Sequence, residues 1–325
     1  SVSPSPATVA ADYLSRTLKA RVYDVAIESA LERAPRLSKR LGELVLLKRE
    51  DQQPVFSFKL RGAFNKIASL SAAERAHGVI CASAGNHAQG VALAARRLGL
   101  RAVIVMPTTT PRIKIHAVAD LGGEIVLHGD DFDAAYAHAR DIEDRDGLSF
   151  VHPFDDPDVI AGQGTIAMEI LRQRHGEEIG CIVVPVGGGG LIAGIAAYTK
   201  ALYPHIRIVG VEAEDAPTLH EALAAGRPVR LPRVGAFADG TAVREIGYET
   251  FRIAHAFVDE VVLVSNDEIC AAIQDIFEDT RVVAEPSGAL AVAGLKRWLQ
   301  TNSVGDRACV AVVSGANMGF DRLRH

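Results

Sequence analysis

Short runs of β-branched and aliphatic residues recur along the chain, each bounded by glycine, proline or charged residues and separated by segments with apolar positions at helical spacing. The runs are LVLLK (44–48), GVICAS (78–83), RAVIVM (101–106), GEIVLH (123–128), CIVVPV (181–186), RIVGVEA (207–213), EVVLVS (260–265) and CVAVVS (309–314). Runs that are apolar at every position read as strands covered on both faces. Strands that alternate with helices read as βαβ units and a largely parallel sheet. The pattern predicts an α/β protein with two open, mostly parallel sheets flanked by helices. Near the N-terminus a Pro/Ser-rich lead, SVSPSPATVA, is expected to be mobile. Leu14, Leu18, Val22 and Val25 then keep helical spacing.

The length of 325 residues suits two domains, or one large α/β unit, at about 150 residues per domain. With 48% hydrophobic and 23% charged residues the chain is of the ordinary globular kind, which excludes disordered, collagen-like and coiled-coil classes. The formal net charge of −5 gives no general attraction to phosphate backbones or anionic lipid, so neither nucleic acid nor a membrane is an expected partner. The apolar run from Leu191 to Tyr198 is too short to span a bilayer. Cys81, Cys181, Cys270 and Cys309 lie far apart beside apolar segments, and read as reduced core thiols of a cytoplasmic protein. No secretory signal opens the chain, which starts at Ser1 and not at Met.

Ligands of open parallel sheets bind at the carboxyl ends of strands, which directs attention to the residues just after each run. After CIVVPV stand Gly187, Gly188, Gly189 and Gly190, then the helical segment LIAGIAAYTKAL. Consecutive glycines let several N–H groups turn toward one point, and the next helix adds its positive end, so this is a candidate phosphate cradle. It has neither the Lys–Ser/Thr of a P-loop nor a spaced GxGxxG, and a merely flexible turn is the plainer alternative. Lys59, in PVFSFKLRGA, sits among Phe56, Phe58 and Leu60. Desolvation there would free its amine as a nucleophile, although a lysine beside phenylalanine is also an ordinary snorkelling surface residue. SAGNHAQG (83–90) puts donors at a strand-to-helix turn, where they could receive a carboxylate or simply cap the helix. Ser314, at the end of CVAVVS, could meet a ligand or cap a turn.

Together, SFKLRGA, SAGNHAQG, PVGGGGL, AEPSGA and SGANM, in this order from residue 57 to 318, resemble the fold-type-II pyridoxal-phosphate enzymes, and among them the threonine dehydratases (threonine ammonia-lyases). The stretch YLSRTLKARVYDVAIESAL is similar to the biosynthetic form that feeds isoleucine synthesis.

The resemblance implies that Lys59 carries pyridoxal 5'-phosphate covalently and then removes the substrate Cα proton. It implies that Phe58 packs on the ring, that Asn86 bonds the cofactor's 3-oxygen, and that Gly187, Gly188, Gly189, Gly190 and Leu191 hold the phosphate. Ser314 would face the pyridine nitrogen, a neutral group that favours prompt β-elimination over transamination. Ser83, with Ala84, Gly85, Asn86 and His87, would grip the substrate carboxylate. The implied substrate is L-threonine or, differing by one methyl group, L-serine. A homodimer or homotetramer is implied by analogy. So is a small domain at 52–153 inserted into a large one formed by 1–51 and 154–325, with the cofactor between them and closing of one on the other during turnover.

The chain departs from racemases of the family, which place a second serine beside Ser83 where this chain has Ala84, so racemisation is disfavoured. It keeps Glu212 of their cation site, but Thr218 stands at the second acidic position, and no metal is expected. The biosynthetic enzymes continue into a regulatory domain that senses isoleucine, whereas this sequence stops shortly after SGANM, so activity indifferent to isoleucine is expected. Asp130, Asp131 and Asp133, like Asp155, Asp156 and Asp158, read as solvated turns before helices. His116, His128, His138 and His152 have no spacing partner. Arg61 reads as a structural ion pair, and Glu285 receives no role. A reading from another class is a non-catalytic domain that binds a nucleotide phosphate at GGGG, for which Lys59 would be irrelevant.

Overall fold

The eight apolar runs all form strands, in a computed structural model that describes residues 2–324. Among the described residues there are ten strands: β1 (Leu31–Arg33), β2 (Leu44–Arg49), β3 (Val79–Ala82), β4 (Ala102–Met106), β5 (Glu124–Leu127), β6 (Ser149–Phe150), β7 (Ile179–Pro185), β8 (Arg207–Ala213), β9 (Glu260–Val264) and β10 (Ala308–Val313). One sheet has the order β1-β2-β10-β7-β8-β9 and the other β5-β4-β3-β6. Every neighbouring pair is parallel except β1 with β2. The smaller sheet is drawn from one continuous stretch, while the larger takes strands from both sides of it.

Burial on both faces explains the unbroken apolar runs. Along β7, Ile182 and Val184 join the core on one side of the large sheet, while Cys181 and Val183 join the core on the other. Along β4, Ile104 faces one core of the small sheet and Val103 and Val105 face the other. Side chains alternate across a strand, so a two-sided core demands apolar residues at every position.

Three expectations need correction. The lead is not mobile from residue 6 onward: a helix runs Pro6–Leu18, Ser5 Oγ accepts from Thr8 N–H at 3.2 Å, and Val9, Ala10, Tyr13 and Thr17 are buried. Only Ser1 of the lead lies outside the described residues. That helix ends at Leu18, and Val22 and Val25 instead pack with Leu60 in an irregular segment. Cys270 is exposed, unlike the three buried thiols, because it lies on the outer face of the helix Asn266–Thr280. β1 and β6 carry no sequence signal, since runs of three and two residues depend on their neighbours for pairing. Among the described residues no helix is long and apolar enough to cross a membrane.

The helix Lys59–Ala68 is seated on the helix Pro157–Gln173 by glycines that let the backbones meet. A Cβ on Gly162 would stand 2.7 Å from the Arg61 carbonyl oxygen, and one on Gly62 2.5 Å from Gln163 Nε2. Beneath this contact lies a buried ion network. Arg61 Nε donates to Glu50 Oε1 at 2.6 Å, Arg61 Nη1 to Glu169 Oε2 at 2.6 Å, and Lys48 Nζ to Glu169 Oε1 at 2.8 Å. All four side chains are excluded from solvent. Arg61 is therefore the structural ion pair its sequence position implies.

Candidate active site

Lys59 is delivered by a strained turn. Val55 and Phe56 both have φ of +59°, a left-handed conformation that costs a non-glycine residue on the order of 1–3 kcal/mol. The surroundings hold it there. Ala316 N–H donates to Phe56 O at 2.9 Å, Asn317 Nδ2 to Val55 O at 2.6 Å and Phe58 N–H to Ser314 O at 3.3 Å, and Ser57 bridges Gly315 in antiparallel fashion. The residues before Lys59 are thus laced to the residues after β10. Lys59 Nζ donates to Pro153 O at 3.0 Å and lies 5.3 Å from the Phe58 ring centre. Burial pushes this ammonium down to about 8, so the free amine becomes a substantial fraction at mildly basic pH.

Phe154, the residue after the lysine's carbonyl partner, packs on the glycine loop. A Cβ on Gly188 would fall 2.0 Å from the Phe154 ring, and one on Gly190 3.1 Å from Phe154 Cα. Gly189 has φ of +96° and precedes the helix Gly190–Leu202, whose N-terminus has no side-chain cap. The first N–H groups of that helix are therefore donors for a ligand. From the far side Thr250 Oγ1 donates to Gly188 O at 2.7 Å. Asp155 accepts from the N–H groups of Tyr248 and Glu249 at 3.1 and 2.9 Å, fixing the helix that carries Thr250. Leu191 is buried in the first turn behind the loop.

At the end of β3, Ser83 Oγ accepts from the N–H groups of Gly85 and Ala88, both at 3.2 Å, which leaves its hydroxyl hydrogen free to donate. A Cβ on Gly85 would meet nothing within 4 Å, so the loop borders open space. Ala84 is half-buried. The helix Asn86–Leu98 starts here without a side-chain cap. The His87 ring is withdrawn from solvent. It is buried with Nε2 2.8 Å from Val151 O, and burial together with the nearby Lys59 charge pushes it down to about 3. Any contact of His87 with a carboxylate is thus left to its backbone.

Asn86 Nδ2 donates to Glu285 Oε1 at 2.7 Å, while Asn317 Nδ2 donates to Asn86 Oδ1 at 2.7 Å. Burial raises the Glu285 carboxyl to about 7. Ser314 is buried at the end of β10, and its Oγ reaches Ser287 O only at 3.5 Å.

The structure brings Lys59, Phe58, Ser314, Asn86 and, through Pro153 and Phe154, the glycine loop to the facing edges of the two sheets. This set fits pyridoxal phosphate: a desolvated primary amine for its aldehyde, a helix N-terminus for its phosphate and a neutral hydroxyl for its ring nitrogen. Phe154, Glu285 and Asn317 go unassigned by sequence reasoning. Glu285 and Asn317 do lie in the motifs AEPSGA and SGANM, whereas the packing of Phe154 on Gly188 joins separate segments and leaves no local mark.

The remaining candidates find plain uses. Asp131 and Asp156 cap helices, accepting from Ala134 N–H at 2.9 Å and Asp158 N–H at 2.7 Å. Asp133 pairs with Arg230 at 2.5 Å and Arg244 at 3.2 Å. His128 and His138 do have a partner, each other, with rings stacked 3.8 Å apart. Glu212, its carboxyl raised to about 8 by burial, accepts from the N–H groups of Leu219 and His220 at 2.6 and 3.0 Å, and Thr218 Oγ1 turns to Val243 O. Its carboxylate thus caps the helix Thr218–Ala225.

A family model described as "Pyridoxal-phosphate dependent enzyme" matches residues 23–315. The chain is 58% identical over 316 residues to the L-threonine dehydratase biosynthetic IlvA of Burkholderia multivorans, covering 96% of this chain and 62% of that protein. It is 51% identical to the protein of that name from Escherichia coli, covering 99% of this chain and 62% of that one. The chain thus spans about three-fifths of the length of these curated relatives. Among solved structures, the processed form of threonine deaminase isoform 2 from Solanum lycopersicum superposes with a TM-score of 0.94 at 51% identity, covering 97% of this chain and 86% of that one. Maize serine racemase superposes with a TM-score of 0.91 at 31% identity, covering 96% and 95%. With the family model matching most of its length around a site that fits the cofactor, the chain belongs to the pyridoxal-phosphate dependent enzymes.

Proposed function

We propose that this chain is the catalytic region of an L-threonine ammonia-lyase, which converts L-threonine to 2-oxobutanoate and ammonia by β-elimination of the hydroxyl, the first step of isoleucine biosynthesis. The observation that carries the reading is the placement of the Lys59 amine, bonded to Pro153 O at 3.0 Å, with Phe154 packed on the glycine loop and Phe58 N–H tied to Ser314 O. The names of the relatives supply the substrate.

When bound, pyridoxal phosphate supplies an electron sink for the charge left on Cα. The chain's own groups do the rest. The Lys59 amine, its proton affinity lowered by burial, takes the Cα proton. The Ser83 hydroxyl and the N–H groups of Ala84, Asn86 and His87 orient the substrate carboxylate, that of Gly85 being held by Ser83 Oγ. Donors at Gly187–Leu191 would hold the cofactor's phosphate, Phe58 would pack on its ring, and Asn86 would donate to its ring oxygen. Ser314, a neutral hydroxyl, would face the ring nitrogen without enforcing its protonation, which would favour loss of the β-hydroxyl. Water is lost from threonine and regained when the released enamine hydrolyses, so the net products balance. A small domain at 52–153 closing on the large domain formed by 1–51 and 154–325 would exclude water meanwhile. The same reading makes the protein a cytoplasmic homodimer or homotetramer.

A racemase reading is disfavoured by Ala84, which offers no hydroxyl on the second face of the substrate. Serine remains a competing substrate, because one methyl group is worth only about 1–3 kcal/mol of discrimination. The test is to purify the protein, record its visible absorbance and compare kcat/KM for threonine and serine. A yellow protein that prefers threonine, and loses colour and 2-oxoacid formation in Lys59→Ala, is expected. A folded, colourless wild type that ignores added pyridoxal phosphate would sink the reading.

A further inference from the structure

We propose that Asn317 is a positioning residue that fixes the direction of the Asn86 amide and clamps the strained turn that presents Lys59. The inference rests on the reading of Lys59 and Asn86 as the groups that meet the cofactor ring. Asn317 has two Nδ2 hydrogens, and both are used: they go to Val55 O at 2.6 Å and Asn86 Oδ1 at 2.7 Å. Asn86 Oδ1 is thereby held toward Asn317, and Asn86 Nδ2 donates to Glu285 Oε1 at 2.7 Å.

This chain of bonds has a single polarity. If the Asn86 amide flipped, its nitrogen would face the Asn317 nitrogen, which Val55 O holds in place, and its oxygen would face the Glu285 carboxyl, a repulsive contact whenever that group is ionised. In the observed direction one Nδ2 hydrogen meets Glu285 and the other remains for an oxygen on the ring. The second Asn317 hydrogen meets the carbonyl of Val55, a β-branched residue at φ +59° that needs an external hold to stay there. One side chain thus sets both an amide that touches the ring and the turn that aims the lysine. An aspartate in its place cannot donate, and an amide at Asn86 would turn its nitrogen toward that new carboxylate.

The test is a double-mutant cycle on affinity for the cofactor. Apoprotein of the wild type, Asn317→Asp, Asn86→Ala and the double variant is titrated with pyridoxal phosphate, and amide hydrogen exchange at residues 55–58 is followed without it. Asn317→Asp is expected to weaken binding by roughly tenfold or more, shift the visible absorption maximum of the bound cofactor, and speed exchange at 55–58. In the Asn86→Ala background the same substitution should lose several-fold less affinity, since the amide it orients is gone. Equal losses in both backgrounds, or unchanged affinity and exchange, overturn the inference. If Asn317→Asp does not fold, Asn317→Ser, which has one donor for two acceptors, runs the same cycle. A wild type that binds no pyridoxal phosphate defeats the functional reading itself, while a wild type that binds it beside an indifferent Asn317→Asp defeats this inference alone.

Discussion

Gly90 stands directly against the backbone of Lys59. A Cβ on Gly90 would lie 3.0 Å from both the Lys59 carbonyl carbon and the Leu60 nitrogen, so the helix that begins at Asn86 closes on the first turn of the lysine's helix with no side chain between. Two motifs that are well separated in the sequence, SFKLRGA and SAGNHAQG, meet at this glycine. Gly90→Ala is expected to push the two helices apart by a few tenths of an ångström, costing about 1–3 kcal/mol of stability. Because the shift falls on the reacting amine, kcat should drop roughly tenfold while KM changes less. Thermal unfolding and steady-state kinetics with threonine check both. A variant with wild-type kcat would separate this packing from catalysis.

The lowered proton affinity of Lys59 makes a prediction about the apoprotein. Folded, the amine titrates at about 8 because burial disfavours its charge; unfolded, it titrates near 10.5. Between those values the unfolded chain holds more protons, so stability rises with pH across that window. Below about 8 the buried charge opposes folding by at most about 3 kcal/mol. Lys59→Met apoprotein should therefore be more stable than wild type at pH 7, with the gap closing as pH climbs toward 10. Urea unfolding of both proteins across that range is the measurement, and a gap independent of pH would contradict it.

Glu169 ties the lysine's helix to β2 from below. Burial works to raise its carboxyl, but hydrogen bonds and charge from Arg61 and Lys48 overcome that and hold it under its ordinary value. Its contribution to stability is thus full above about 4.5 and is lost as pH falls through the lowered folded value. Glu169→Gln strips the charge that Arg61 and Lys48 share and should cost about 3–5 kcal/mol, because both cations stay buried. Denaturant unfolding at pH 7 should show the full loss, and the gap between wild type and variant should narrow as pH falls below about 4.5.

What the sequence determined by itself is the class of fold and the family to which the chain belongs. Runs such as CIVVPV and CVAVVS have to be apolar throughout because both faces of their sheets are covered, and that requirement is written locally. Glycines at 187–190 and a lysine among phenylalanines are ambiguous alone, since a flexible turn or a snorkelling side chain would leave the same mark, and they gain meaning only from the five motifs taken together. The helix Pro6–Leu18 shows the limit of such reading, since its Pro/Ser start looks like a loose lead until Ser5 caps it and Val9 and Tyr13 find a core. Tertiary structure alone decided where His87 points, that His128 stacks on His138, and that Glu212 caps a helix. It alone set the strained turn at Val55 and Phe56, whose left-handed backbone no local residue favours and which holds because Asn317 and Ala316 bond its carbonyls. The physical reason is range. Periodicity and propensity act between near neighbours, whereas donors and acceptors that are far apart in sequence choose their partners only after the two sheets have brought them within about 3 Å.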